Sequence, residues 1–223
     1  YGVRTTTDNA DLASKVDVLV LSVKPQNMKA VLDAIKGHIN KHVLIISIAA
    51  GIQTSFISSI LGDVAIVRVM PNMPAWVREA ASVLYANKKA QKNVEKARLI
   101  LLAVGQTVVV DDEDLLNTAT GVSGSGPAYF FLLMQEMIAA GVKLGLPEQE
   151  AQNLVLQTAK GAALLAEKAA AEGSTPAQLS ARVATPNGTT EAAFKVFYAR
   201  GFSDMVSEAL TRATERSREL STG

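Results

Sequence analysis

The chain has 223 residues, 48% of them apolar and 19% charged, with 22 Lys and Arg against 21 Asp and Glu for a formal net charge of +1. This composition is globular rather than disordered, and the balanced charge offers no general basic surface for nucleic acid. There is no cysteine, which excludes disulfides, thiolate nucleophiles and cysteine-ligated zinc together. The length predicts one or two domains. No apolar run approaches the ~18 residues of a membrane span; the longest candidates are Val43–Ala50 and Leu99–Val104, and no secretory signal pattern is visible.

In chain order, the first half alternates strand-like and helix-like segments. Asp17–Val23 is a short apolar run stopped by Lys24-Pro25. Gln26–Gly37 has helical spacing, with Met28, Val31, Leu32 and Ile35 on one face. His42–Ile48 predicts a second strand, ended by Ala49-Ala50-Gly51. Thr54 is expected to cap a helix that runs through Leu61, followed by a strand over Val64–Val69. Ala81–Tyr85 is a fourth strand, Ala90–Ala103 a helix and Thr107–Val110 a fifth strand. Unbroken apolar strands separated by helices predict a mainly parallel sheet covered on both faces, a doubly wound α/β arrangement. After the acidic step Asp111–Asp114 the strand signals end. Pro127–Leu144, Pro147–Ala171, Pro176–Val183, Thr190–Ala199 and Phe202–Leu220 read as helices. The expected division is therefore residues 1–112, an α/β domain, and 113–223, a helical domain.

His38 and His42 stand four apart, but Ile39 replaces the glutamate a zincin needs, and Gly37 and Asn40 end the helix before both rings share a face. They read as solvated loop residues, and no metal is expected. Gly124-Ser125-Gly126-Pro127-Ala128-Tyr129 begins like a dinucleotide fingerprint, yet it carries Tyr at the third glycine position and follows no strand. Its small residues and Pro127 instead predict a helix start whose amides can face an anion, or a tight interdomain turn.

Four loops lie where an α/β sheet places ligands, or face that place from the second domain. They are Ser22-Val23-Lys24-Pro25, Ile48-Ala49-Ala50-Gly51, Met70-Pro71-Asn72-Met73-Pro74, and Thr185-Pro186-Asn187-Gly188 leading through Thr189 and Thr190. In the last, Thr189 or Thr190 is expected to cap the helix and leave amides free for a carboxylate, with no Lys or Arg needed. Each loop also has an ordinary reading as a connecting turn. No nucleophile stands beside a base; Ser123 and Ser125 have no visible partner. Hydride transfer suits this poverty, because a cofactor does the hard step while the protein positions and polarises.

Val23-Lys24-Pro25-Gln26, Ala49-Ala50-Gly51-Ile52, Arg68–Pro74, Thr120–Tyr129 and Thr185–Thr190 together resemble pyrroline-5-carboxylate reductases, in order and spacing, from Tyr1 to Leu220. The segment Ser123–Tyr129 with Pro186–Thr190 is the specific part. The resemblance implies a Rossmann-like α/β domain followed by an all-helical dimerisation domain, in a cytoplasmic homodimer or higher homo-oligomer whose active site forms at the dimer interface. It implies reduction of the C=N bond of 1-pyrroline-5-carboxylate to L-proline, the last step of proline biosynthesis, with hydride from NADPH or NADH. Asn9, Ser22, Val23, Lys24, Pro25, Ala49, Ala50 and Asn72 would contact the dinucleotide. Ser123, Gly124, Ser125, Gly126, Pro127, Gly188, Thr189 and Thr190 would surround the substrate, and Thr190 would hydrogen-bond the ring nitrogen. Neither nucleic acid nor membrane is implied as a partner.

Two positions depart from the resemblance: Met73 stands where the family usually has Thr, and Asn187 where it usually has Gly. The family also opens with a strand, a glycine-rich turn, a helix and a second strand that do not precede Tyr1. The chain is therefore expected to be truncated, with an unpaired sheet edge at Val16–Val23, weak cofactor binding and little turnover on its own. The alternatives are another two-domain β-hydroxyacid or amino-acid dehydrogenase, with Lys143 or Lys160 as general acid, or a cofactor-incompetent dimerisation module.

Overall fold

A computed structural model describes residues 2–222, with the side chain of Thr222 left aside. Tyr1 lies outside the described residues; Gly2 and Val3 are exposed and irregular. Helix α1 (Asn9–Ser14), which the sequence pattern did not signal, is capped by the Asp8 side chain accepting from the Asp11 amide at 2.9 Å. Then follow β1 (Val18–Leu21), α2 (Pro25–Ile35), β2 (Leu44–Ser47), α3 (Thr54–Leu61), β3 (Ala65–Met70), β4 (Ala80–Ala86), α4 (Val94–Leu102) and β5 (Gly105–Val110). The part expected as helix from Ala90 is a 3-10 turn over Lys88–Asn93, with Asn87 accepting from the Ala90 amide, and α4 starts only at Val94.

The five strands form one sheet in the order β1-β2-β3-β4-β5. Neighbours run parallel except β3 and β4, which are antiparallel. A 3-10 turn at Met73–Val77 joins those two, and so short a link cannot make the crossover that parallel pairing requires. Alternate residues feed opposite faces. Leu19, Leu21, Ile45 and Ile66 pack with Met28, Leu32 and Ile35 of α2 and Ile57 of α3. Leu44, Ile46, Val67, Val69 and Leu84 pack with Ala97 and Leu101 of α4. Burial on both faces is why the central strands β2 and β3 read as nearly unbroken apolar runs. Each fully buried Leu or Ile contributes ~1.5–3 kcal/mol.

After β5 come α5 (Leu115–Ala119), a π-helical turn over Thr120–Gly124, α6 (Gly126–Lys143), α7 (Glu148–Ala171), α8 (Pro176–Val183), α9 (Thr189–Ala199) and α10 (Phe202–Thr222). Packing groups residues up to Pro127 with Leu210 onward, and Ala128–Ala209 as a second unit. That grouping differs from the compositional division at 112/113, because side-chain bonds hold α5 to the end of α10. The Ser217 hydroxyl donates to Asn117 Oδ1 at 2.9 Å in a buried position, and Arg218 pairs with Asp114 at 2.6 Å. Gly121 serves the same contact, since a Cβ there would lie 2.8 Å from Thr214 Oγ1.

The helical unit is differently built. Helix α8 opens on a capping box in which Thr175 and Gln178 bond reciprocally and Pro176 takes the first helical position. In α6 and α7, however, Phe130, Phe131, Leu132, Leu133, Leu164 and Leu165 are all exposed. Helices this apolar on their outside leave faces that a single chain does not close.

Candidate functional site

Parallel strands β1, β2 and β3 end at the same edge of the sheet, so the three turns that follow them share that edge. Lys24 is extended (φ −63°, ψ 144°) and Pro25 is the first residue of α2, which makes the first turn stiff. Ser22 and Lys24 are exposed, and Asn9 lies with Leu21 and Val23 around a shallow hollow of about 100 Å³ beside β1. In the second turn Ala49 is buried and Ala50 exposed. Gly51 has φ +74°, and a Cβ there would lie 2.8 Å from the Leu220 carbonyl oxygen. Only glycine meets both conditions.

In the third turn the Asn72 amide is used at both ends. Its Nδ2 donates to the Ser123 carbonyl at 3.0 Å, and its Oδ1 accepts from the Ala81 amide at 2.9 Å. The expected dinucleotide contact Asn72 and the expected substrate contact Ser123 are thus adjacent. Gly124 completes the join, because a Cβ there would lie 2.8 Å from the Met70 methyl carbon.

The Ser123–Pro127 segment differs from the expected free helix start. Helix α5 runs through the π turn almost directly into α6, and the Ser125 amide already donates to the Thr120 carbonyl at 2.8 Å. The Thr120 and Ser123 hydroxyls donate to the carbonyls of Leu116 and Ala119 at 2.7 and 2.9 Å. Gly, Ser and Gly allow a widened turn here because they add little bulk, and such turns recur at functional sites.

Gly188, Thr189 and Thr190 belong to the helical unit. The cap of α9 is Gly188, not Thr189 or Thr190 as expected, and it makes no side-chain bond. The chain enters through Asn187 at φ +60°, a geometry Asn tolerates, and the Gly188 amide donates to the Thr185 carbonyl at 2.9 Å. The first helical bond back to this turn is Ala192 to Gly188 at 3.2 Å. Among the described residues the amides of Thr189 and Thr190 therefore have no partner and point out of a helix amino end. Glu191 accepts from the Asn187 amide at 2.6 Å and pairs with Lys195 at 2.9 Å. Lys195, then the Asn187 amide, hold its carboxyl below the usual carboxylate range. His38 lies in the turn beyond α2 and His42 just before β2, both exposed.

Sequence reasoning missed a buried polar group on the sheet. Arg68 of β3, 5% exposed at its side chain, pairs with Glu113 at 3.1 Å. The same carboxylate accepts the Thr54 amide at 2.8 Å and the Thr54 hydroxyl at 2.7 Å. Thr54 is accordingly the first residue of α3 and not its cap; Gln53 precedes it with no side-chain cap bond. Tyr85, which pairs with Arg68 in the β3–β4 register, has its phenol raised by burial and then by the Glu113 and Asp112 charges. An arginine inside the run Ala65–Met70 was the available signal, since that residue type is almost never buried unpaired.

Two families match the chain: one described as pyrroline-5-carboxylate reductase dimerisation, over residues 113–220, and one described as NADP oxidoreductase coenzyme F420-dependent, over residues 1–51. A pyrroline-5-carboxylate reductase of Pseudomonas aeruginosa is 49% identical over 99% of this chain and 80% of its own length. The chain belongs to the pyrroline-5-carboxylate reductase family. A solved pyrroline-5-carboxylate reductase from Coxiella burnetii superposes with a TM-score of 0.93 at 39% identity, over 99% of this chain and 82% of that one. The Plasmodium falciparum pyrroline carboxylate reductase, solved with NADP bound, gives 0.86 at 31% identity over 97% and 81%. As in these reductases, a mainly parallel sheet precedes a helical part that carries the dimerisation match. Among the described residues no helix is long and apolar enough to cross a membrane.

Proposed function

We infer that the protein is an NAD(P)H-dependent oxidoreductase that reduces the C=N bond of 1-pyrroline-5-carboxylate to L-proline, completing proline biosynthesis. The observation that carries this is the pair of unpartnered amides at Thr189 and Thr190, in a chain that matches known reductases over 99% of its length. A small carboxylate fits that helix end. The Glu191 charge beside it is offset by Lys195, so the field of the amides is left for the ligand.

The residues at the sheet edge fit a dinucleotide. Ala49 and Ala50 bring backbone close with little side chain, and Lys24 sets an exposed cation at the start of α2. Bound there, the reduced nicotinamide supplies the hydride. Asn9, Ser22–Pro25, Ala49 and Ala50 would hold the dinucleotide, and Asn72 would fix the turn beside it through Ser123. Ser123–Pro127 and Gly188–Thr190 would line the substrate. The Thr190 hydroxyl would hydrogen-bond the ring nitrogen, orient the imine and favour positive character at its carbon as hydride arrives. No covalent attachment to the protein is needed.

Residues 113–223 would form the substrate and dimerisation part. A second copy would cover the exposed apolar faces of α6 and α7, among them the open groove of about 720 Å³ bounded by Phe131, Met134, Ile138, Val142 and Leu156. The cytoplasm would be the compartment. The test is an assay of the whole protein with 1-pyrroline-5-carboxylate and NADPH or NADH: proline should form with loss of reduced nicotinamide, and an absence of turnover with both cofactors would overturn the reading.

A further inference from the structure

We propose that Glu113 is a positioning residue for the dinucleotide, acting through Thr54 on the turn that follows β2. The proposal rests on the reading above that Ala49 and Ala50 lie against the dinucleotide.

The turn from Ile48 to Gln53 is held at both ends. At Gly51 the end of α10 lies so close that a Cβ would stand 2.8 Å from the Leu220 carbonyl oxygen. At its other end Thr54 gives both its amide and its hydroxyl to the Glu113 carboxylate, at 2.8 and 2.7 Å. Glu113 thereby does from a distant segment what a capping side chain usually does locally, and it faces the positive end of α3. Gln53 makes no such bond itself.

Arg68 makes this arrangement stable. Its guanidinium donates to Glu113 Oε1 at 3.1 Å from within the sheet, where both side chains are largely shielded from water. A shielded carboxylate with three donors is strongly oriented. Ser47, the last residue of β2, pairs with Arg68 in the strand register, so the triad lies beside the strand end that launches the turn. The neighbouring residue Asp114 holds α10 through Arg218. One short segment, Glu113-Asp114, therefore secures both supports of the turn.

A support of this kind changes how well the turn fits its ligand, not the chemistry at the imine. The test is a direct titration of NADPH binding to the whole protein, in which Glu113→Gln should raise the Kd as much as the KM, together with steady-state kinetics of Glu113→Gln, Thr54→Val and Thr54→Ser. Glu113→Gln keeps the shape but loses the charge that Arg68 and the Thr54 amide face. The KM for NADPH should rise about tenfold, the equivalent of one charge-assisted hydrogen bond. The KM for 1-pyrroline-5-carboxylate should stay within about twofold of wild type, since only the dinucleotide turn is disturbed. Thr54→Val should show the same split more weakly, and Thr54→Ser, which keeps the hydroxyl, should restore wild-type values. A folded Glu113→Gln protein with an unchanged NADPH KM, or with both KM values raised alike, overturns the proposal. Ala50→Phe separates it from the underlying reading. If Ala50→Phe leaves the NADPH KM unchanged, the turn is not at the dinucleotide and the proposal falls with the reading. If Ala50→Phe raises it while Glu113→Gln does not, the proposal alone is wrong.

Discussion

Asn72 donates a side-chain hydrogen to the carbonyl oxygen of Ser123 at 3.0 Å, while its own oxygen accepts from the start of β4. The bond ties the exit of β3 to the π turn that leads into α6, so Asn72 supports the site as a bracket. Asn72→Asp keeps the acceptor for Ala81 but sets an oxygen against the Ser123 carbonyl. That change should cost about 1–3 kcal/mol of stability, read by urea unfolding. Asn72→Asp at wild-type stability would remove the bracket role.

Thr190→Ala should leave the far-ultraviolet dichroism and thermal midpoint unchanged, because Thr190 makes no side-chain bond among the described residues. It should lower kcat by about a hundredfold, the usual loss for one donor aimed at developing charge. An unchanged kcat would take the ring-nitrogen role away from Thr190.

Much of this was readable in the residues, and the failures have physical causes. All five strands were visible as apolar runs and the helices from α6 onward as long segments without strand signals, and Pro176 marked the start of α8 to the residue. The antiparallel direction of β4 was not visible, since an apolar alternation carries no polarity. Thr54 was taken for a local cap because Ser and Thr usually serve that way; its actual acceptor is 59 positions away, and no local pattern reports such a partner. The π turn at Thr120–Gly124 was likewise hidden, since Gly and Ser suit a loop equally well. At the candidate site, the family resemblance supplied the roles, while the Arg68–Glu113–Thr54 and Asn72–Ser123 links emerge only from the fold.

Asn187 stands at φ +60° where the chain enters α9. Asn187→Ala should destabilise the α9 turn by about 1 kcal/mol, because alanine lacks asparagine's tolerance of this geometry. Asn187→Gly should be near neutral. Thermal midpoints of the two variants, taken with the KM for the imine carboxylate, check both; an Ala variant as stable as the Gly variant would contradict the assigned strain.

The Asp114–Arg218 pair makes the docking of α10 sensitive to acid. Bonds from Arg218, then Asn117, hold the Asp114 carboxyl below its ordinary value. A depressed carboxylate adds stability above its unfolded pKa of about 4, and that stability fades as pH falls through the lower folded value. Wild type should therefore exceed Asp114→Asn in thermal midpoint at neutral pH, and the gap should shrink as acid protonates Asp114. A gap that does not change with pH would show that the charge is not what holds α10.

If a second copy covers α6 and α7, a charge placed there should separate the subunits. Phe131→Asp, in the exposed groove, should lower the mass seen by light scattering at micromolar concentration. Wild-type mass in that variant would place the interface elsewhere.

The most direct measurement compares turnover of 1-pyrroline-5-carboxylate with that of 1-pyrroline, the same cyclic imine without its carboxylate, in the whole protein with reduced nicotinamide cofactor. Clasping of the carboxylate by the Thr189 and Thr190 amides predicts proline formation from the first and a kcat/KM at least about a hundredfold lower for the second. Equal kcat/KM values for the two imines, or no reduction of either, would contradict the account.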